Sequence, residues 1–447
     1  TRLPWDEKWI IESLSDSTLY MAYYTIAHLI QNVPVGALRP ALFDHVFLGE
    51  GSPADLADDL SVPADLLERM RAEFTHWYPM DLRISGKDLI QNHLSFCIFN
   101  HTAILPREYW PRAFGLNGWI LVGGTKMSKS AGNFYTLREA IERWGADVIR
   151  FTLANGGDGL DDPNFDPDFA GSAGDHLDAW LEFATAHHGR GVEGWRPVDR
   201  WFRSVLHATL SDYIRHMDLM EFRAALKRAF FDLQRDLRWY LRRCGEPNRD
   251  LMAEFVDIET QMLSPFVPHL CEEIWSRTGH EDFISTSRLP EPDTGAIDRT
   301  AMDAEALLVD LMGDLREILS FLKGKAGTIH LYTAAPWKWR LLDLVRRATD
   351  EGPARFQDVM RAVMGDPEIR RMGKAVPRVV QRLLAERSPY ALTAGEERAK
   401  LETEAAFLES EFGLPVRVWV EGEAEDPMGK ARNALPLKPA IYVEPGS

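Results

Sequence analysis

The chain has 447 residues, 45% hydrophobic and 27% charged, enough to bury sizeable cores in two or three domains. That composition excludes a disordered chain, a fibrous repeat and a peptide-sized scaffold. The formal charge of -17 weighs against a nucleic-acid partner for the chain as a whole, since Lys and Arg dominate affinity for phosphate, yet residues 200–243 hold ten Arg and Lys against five Asp and Glu.

Residues 1–165 mix short apolar runs with Gly, Pro and Asn, as in WPRAFGLNGWILVGGTKMSKSAGNF, and read as alternating strands, loops and helices of an α/β segment. From residue 166 to about 290 the pattern changes. Leu206, Leu210, Tyr213, Met217, Leu219 or Met220, Leu226, Phe230, Leu233, Leu237 and Leu241 recur at helical spacing and predict an antiparallel helical bundle. The Pro, Gly, Asp and Thr of residues 287–300 mark a boundary. Residues 300–447 then predict a small α+β domain: a helix over 304–322, an alternating strand at 328–334, and strands in PVRVWVEGE and KPAIYVE. The acidic cluster at 54–60 reads as a solvated helix face.

No apolar run reaches the roughly 18 residues of a membrane span, and the opening TRLPWDEKWI lacks the basic start and apolar stretch of a secretory signal, so a cytoplasmic protein without membrane association is expected. Cys97, Cys244 and Cys271 form no Cys-x-x-Cys pair and read as buried, inert thiols. His187-His188 stands without Cys or spaced carboxylates and reads as a surface pair, leaving no metal site. His101 reads as a structural helix residue.

The sharpest feature is Lys126-Met127-Ser128-Lys129-Ser130, between Gly123-Gly124 and Gly132-Asn133. Two lysines three apart among hydroxyls and glycines suit a mobile clamp on phosphate oxygens whose charge grows during displacement. An exposed Lys/Ser loop of no special purpose has the same composition. Upstream, Ser85-Gly86-Lys87-Asp88-Leu89-Ile90-Gln91-Asn92-His93 follows a short apolar strand; Gly86 would let backbone approach a flat ligand and Asp88 could accept from ribose hydroxyls, though Ser85 and Asp88 also serve as simple helix caps.

The pentapeptide, with Gly145-Ala146-Asp147-Val148-Ile149-Arg150 after it, resembles the KMSKS signature and following helix of class I aminoacyl-tRNA synthetases. SGKDLIQNHL and the aromatic segment from Trp9 to Tyr24 resemble the archaeal and eukaryotic branch of the leucyl-tRNA synthetase family, as do the bundle and tail. That resemblance implies a partial nucleotide-binding, Rossmann-like catalytic core, an anticodon-binding-type bundle and a tRNA-contacting C-terminal domain. It implies ATP and Mg2+ as cofactors. Lys126 and Lys129 would be catalytic, with Gly86, Lys87, Asp88, Met127, Ser128 and Ser130 also at ATP, and Ser17, Tyr20 and His93 would hold leucine. Arg223, Arg235, Arg238 and Arg242 would track phosphates of tRNA(Leu), with stacking on Trp239 and Tyr240, and a second basic stretch at 355–387 would meet the tRNA body. Where bacterial relatives place a Tyr this chain has Arg83.

The family also needs a His-x-Gly-His motif and an inserted editing domain, and neither is in this sequence. With Thr1 rather than Met at the start, the expectation is the C-terminal portion of a leucine-tRNA ligase, either a split subunit or a piece of a longer chain, inactive without its N-terminal half. The rival reading is a non-catalytic tRNA-binding protein derived from a synthetase; a nucleotidylyltransferase stands third, disfavoured by the long bundle.

Overall fold

The structure is a computed structural model. It describes residues 2, 3, 6–10, 13–130, 132–322, 326–349, 355–386, 388–423, 426 and 428–446. Ile11 and Glu12 of the aromatic segment, Arg387 of the second basic stretch and Pro427 of the tail lie outside the described residues. The chain divides into two compact units, one of residues 1–192, 209–235 and 249–291, the other of 193–208, 236–248 and 292–447.

The first unit opens with an antiparallel pair, β1 (Arg2–Leu3) and β2 (Asp6–Ile10), and the helix Ser13–Tyr24. Helices to Trp77 close around Ile26, Leu42, Val46, Leu67, Met70 and Phe74, all fully buried. Strand β3 (Arg83–Gly86) then pairs in parallel with β4 (Phe114–Asn117), Gly86 opposite Asn117. Parallel neighbours require a crossover, and the helix Ser95–Ile104 supplies it. Next come β5 (Leu121–Val122) and β6 (Thr125–Lys126), an antiparallel hairpin, with β7 (Asn164–Phe165) parallel to β5 on its other edge.

Between the hairpin and β7 stand two helices. Leu137–Trp144 is started by a capping box in which Thr136 and Glu139 satisfy each other's backbone amides, and Gly145, at φ 82°, ends it and admits Ala146–Gly156. Phe151 of the second helix sits among Phe169, Phe230 and Phe231, so the helix Pro167–His187 and residues 222–235 share its core. Of the apolar series predicted for the helical segment, Leu206, Leu210, Tyr213, Leu226, Phe230, Leu233 and Leu237 are buried, whereas Leu219 is exposed. The reason is a break: the helix Pro197–Asp218 stops, and Met220 takes φ 58° before the next helix begins at Phe222.

In the second unit the helix Arg299–Leu322 buries Leu308, Leu311, Met312 and Leu315 against a three-stranded sheet. Its central strand β8 (Ala326–Thr333) pairs in parallel with β9 (Val416–Val420) and antiparallel with β10 (Ala440–Pro445). The three expected strands are therefore present, and the expected helix starts five residues earlier, at Arg299. All three cysteines are buried thiols. Among the described residues no helix is long and apolar enough to cross a membrane.

Candidate functional site

The Lys126–Ser130 segment hangs from the β5–β6 hairpin. Val122 is opposite Thr125, so the turn is the two residues Gly123-Gly124, and both take positive φ, 60° and 74°. Such a turn matches the strand twist and is costly for residues with a Cβ. Asn133 shapes the loop beyond the turn. Its side-chain amide donates to Thr125 Oγ1 at 3.1 Å and to the Lys126 carbonyl at 3.2 Å, while its Oδ1 accepts the Ser128 amide at 2.9 Å. Met127 packs into a small core with Val122, Ile149 and Phe165. The loop is thus tethered through one apolar residue and one amide, leaving both lysines outward.

Lys126 Nζ lies 4.4 Å from the Trp119 ring centroid and Lys129 Nζ 5.4 Å from that of Phe134. Among the described residues neither ammonium has a carboxylate partner. An aromatic face holds a cation by only about 0.5–1 kcal/mol at an exposed site, so both charges remain available to an anion. Ser128 and Ser130 face each other, Oγ to Oγ at 3.3 Å.

The Gly86-Lys87-Asp88 turn closes β3. A Cβ at Gly86 would come within 2.5 Å of Asp88 Oδ1, so glycine here makes room for the neighbouring carboxylate rather than for an unusual φ. Lys87 is committed: its ammonium pairs with Asp162 Oδ1 at 2.6 Å and donates to the Leu160 carbonyl at 3.1 Å. That ammonium, followed by the Trp119 amide, holds the Asp162 carboxyl below its ordinary range. Asp88 is exposed.

Ser17 and His93 come together because the helix Ser13–Tyr24 lies along residues 90–104, pinned by Asn100 Nδ2 donating to Thr18 Oγ1 at 2.7 Å. Ser17 Oγ itself donates to the Leu14 carbonyl. His93 is buried, and burial first, then the Arg83 cation, hold its pKa below that of a free imidazole, so the ring is neutral; its Nδ1 has no partner among the described residues. Tyr20, three residues after Ser17 on the same helix, is 40% exposed and meets Tyr24 edge to face at 4.9 Å. Arg83, Tyr78, Cys97 and His101 form a buried polar knot in which Tyr78 Oη lies 3.1 Å from His101 Nε2. His101 is therefore structural, as its sequence context suggested.

The basic stretch is mostly neutralised from within. In the first unit Lys227, Arg228 and Arg235 all converge on Asp232 at 2.8, 3.2 and 3.3 Å, and Arg223 is exposed while its amide is capped by Asp158 at 2.6 Å. In the second unit Arg242 forks onto Glu411, and Arg243 is buried against Glu305 at 2.8 Å and Glu404 at 2.6 Å, with Lys400 completing a balanced quartet. Arg238 is exposed. Tyr240, expected to offer a stacking face, is fully buried and donates to Asp199 at 2.7 Å, which corrects that expectation; Trp239 donates its indole N–H to Glu305. His187 stacks on Phe183 and His188 pairs with Asp257 at 3.0 Å. Among the described residues no three His, Cys, Asp or Glu side chains gather to hold a metal ion.

Sequence reading passed over Asn133, Trp119, Asp162 and Asn164. Asn133 stood in the motif's flank, and its tethering role is a matter of reach across five to eight residues that spacing alone does not reveal. Residues 158–164 carry no periodicity, and only the fold brings them under the hairpin.

Two family models match. Residues 69–157 match the catalytic domain of class I tRNA synthetases (C), and residues 199–331 match the anticodon-binding domain of tRNA ligase. The chain belongs to the class I tRNA synthetases. Within them, 99% of the chain is 46% identical to a leucine–tRNA ligase of Aeropyrum pernix and 36% identical to those of Methanosarcina acetivorans and Pyrococcus horikoshii. It covers 47%, 48% and 47% of those three proteins, so it spans about half the length of the curated relatives it matches. A solved ternary complex described as Agrobacterium radiobacter K84 agnB2 LeuRS-tRNA-LeuAMS overlays 72% of this chain and 38% of its own at a TM-score of 0.46 and 14% identity.

Proposed function

We propose that this chain is the C-terminal part of a leucine–tRNA ligase, supplying the phosphate clamp and the tRNA-facing helices of an enzyme that joins leucine to ATP as leucyl-adenylate and passes it to tRNA(Leu). The observation that carries the reading is the tethered hairpin loop whose two lysines have no carboxylate partner among the described residues, standing in the same compact unit as the Gly86–Asp88 turn. The parallel β3–β4 pair with its crossover helix supports reading 1–165 as half of a nucleotide-binding core, with the bundle at 166–290 and the α+β domain at 300–447.

In this scheme ATP lies across the end of β3, its ribose hydroxyls on Asp88 and its phosphates under the loop. Attack of the leucine carboxylate on the α-phosphorus breaks the bond to pyrophosphate, and charge grows on the leaving oxygens. Lys126 and Lys129 leave their aromatic rests to meet that charge. Fixed cations aimed at developing charge lower a barrier, and no covalent enzyme intermediate is needed. Ser128 and Ser130 contribute hydroxyl donors, and the buried His93 with Ser17 forms the floor for leucine. Mg2+ would supply neutralisation of phosphate charge when bound with ATP; among the described residues no three His, Cys, Asp or Glu side chains gather to hold it. Arg223 and Arg238 are the cations best placed for tRNA phosphates, being exposed and without an acidic partner among the described residues.

Leucine-dependent ATP–pyrophosphate exchange tests the reading, run on this chain and again with the first half of a relative added, both shown to fold and associate. Exchange that appears with the mixture and falls on Lys129→Ala supports it. A mixture without exchange, or one indifferent to Lys129, refutes it.

A further inference from the structure

Asp162 belongs to none of the motifs, yet one of its oxygens joins two of them. Oδ1 takes the Lys87 ammonium at 2.6 Å and the Trp119 amide at 2.7 Å. Lys87 is the middle of the turn that closes β3, and the indole of Trp119 is the face over which Lys126 rests at 4.4 Å. The surroundings are built tightly for this contact. A Cβ at Gly118 would strike the Asp161 carbonyl oxygen and stand 2.5 Å from Asp162 Oδ1, so only glycine lets the two strands of chain approach. Two residues further on, Asn164 Oδ1 accepts the Gly124 amide at 2.8 Å and holds the hairpin turn itself. Residues 158–164 thus form a girder beneath both the turn and the loop.

We propose that Asp162 is a positioning residue, whose single carboxylate oxygen fixes the Lys87 turn against Trp119 and so sets the distance between the nucleotide turn and the resting place of the first clamp lysine. Its geometry stands by itself; its consequence for ATP rests on the function proposed above. An ion pair and a charge-assisted hydrogen bond sharing one oxygen restrain both partners more than either alone. Asp162→Ala removes both bonds. Asp162→Asn keeps an acceptor for the Trp119 amide and removes the charge that attracts Lys87, which separates positioning from general damage to the fold.

The experiment has two arms on this chain. In the first, amide hydrogen exchange is followed without ligand. Asp162→Ala should speed exchange at Trp119 and across 121–128 by at least tenfold while the helix Arg249–Leu263 is unchanged, and Asp162→Asn should return Trp119 toward the parental rate. Unaltered exchange at 119–128 in Asp162→Ala overturns the proposal. In the second, ATP is titrated. Asp162→Ala should weaken binding about tenfold and Asp162→Asn by several-fold. Equal or tighter binding by Asp162→Asn overturns it, because Asp162 would then be a competing counter-ion for Lys87 rather than its support. A parental chain that binds no ATP even when complemented with the first half of a relative removes the nucleotide reading, and the exchange arm then decides the positioning role alone.

Discussion

Glu397 offers a stability prediction with its sign fixed by the structure. It lies in the helix Ala394–Phe412 with no exposed surface; Oε2 accepts only the Leu437 amide, at 3.4 Å, and Oε1 has no partner among the described residues. Burial without a cation pushes the carboxyl from 4.5 up to about 8, so at neutral pH the folded chain keeps a proton that the unfolded chain has released. A folded state that binds more protons loses stability as pH rises, here from about 4.5 toward 8. At 1.36 kcal/mol for each pH unit, the loss between pH 4.5 and 7 is on the order of 3 kcal/mol. Glu397→Gln keeps the shape and has no proton to lose. Its amide nitrogen costs something, but the same at every pH. The assay is urea unfolding of both proteins at pH 5 and 7.5, scored as the change in their stability difference. Glu397→Gln should gain about 2–3 kcal/mol on its parent between the two values. A difference that does not move with pH would mean that Glu397 is ionised in the fold, and would refute the argument.

In the complemented enzyme, Lys129→Ala should slow pyrophosphate exchange by about 10²–10³-fold with leucine affinity nearly unchanged, the size expected for one lost group at developing charge. Asn133→Ala removes the side-chain bonds that shape the loop and should speed amide exchange at Ser128 while costing about 1–3 kcal/mol of local stability. Arg243→Met strands Glu305 and Glu404 with only Lys400 for charge, so urea unfolding should register a loss of about 3–5 kcal/mol. In salt titrations of tRNA binding, Arg223→Ala or Arg238→Ala should each reduce the slope of log K against log salt by about one, whereas Arg242→Ala, its side chain already forked onto Glu411, should leave that slope in place.

The sequence was most legible where chemistry is local. The flanking glycines marked Lys126–Ser130 as a loop, and the helical spacing of Leu206, Leu210, Tyr213, Leu226, Phe230, Leu233 and Leu237 marked residues that are indeed buried. Periodicity could not foresee that Met220 would break the run at φ 58°, since no Gly or Pro stands there. Charge was legible only as a sum. A run of arginines between 223 and 243 looks like a phosphate track on paper, but Asp232 gathers three cations from its own neighbourhood, and Glu305, Glu404 and Glu411 are supplied by residues 62 to 169 positions away. The Lys87–Asp162 pair is 75 positions apart in sequence and equally invisible there. Long-range partners of charged groups are decided by the fold, so a motif names the cations without saying which of them are spoken for.

If the proposed function holds, the aromatic rests of the two loop lysines bear on its turnover. Had Lys126 and Lys129 been parked on carboxylates, each cycle would have to break an ion pair before the phosphate could be met, and the displaced acid would then repel the incoming anion. Trp119 and Phe134 hold the ammoniums without carrying charge. Departure from a ring face costs little and leaves nothing behind that opposes phosphate, and in the proposed reaction the same faces would take the cations back once pyrophosphate had left. Under the proposed function the loop would therefore cycle between a loaded and an idle state across a shallow energetic step, closed by the ligand's own charge.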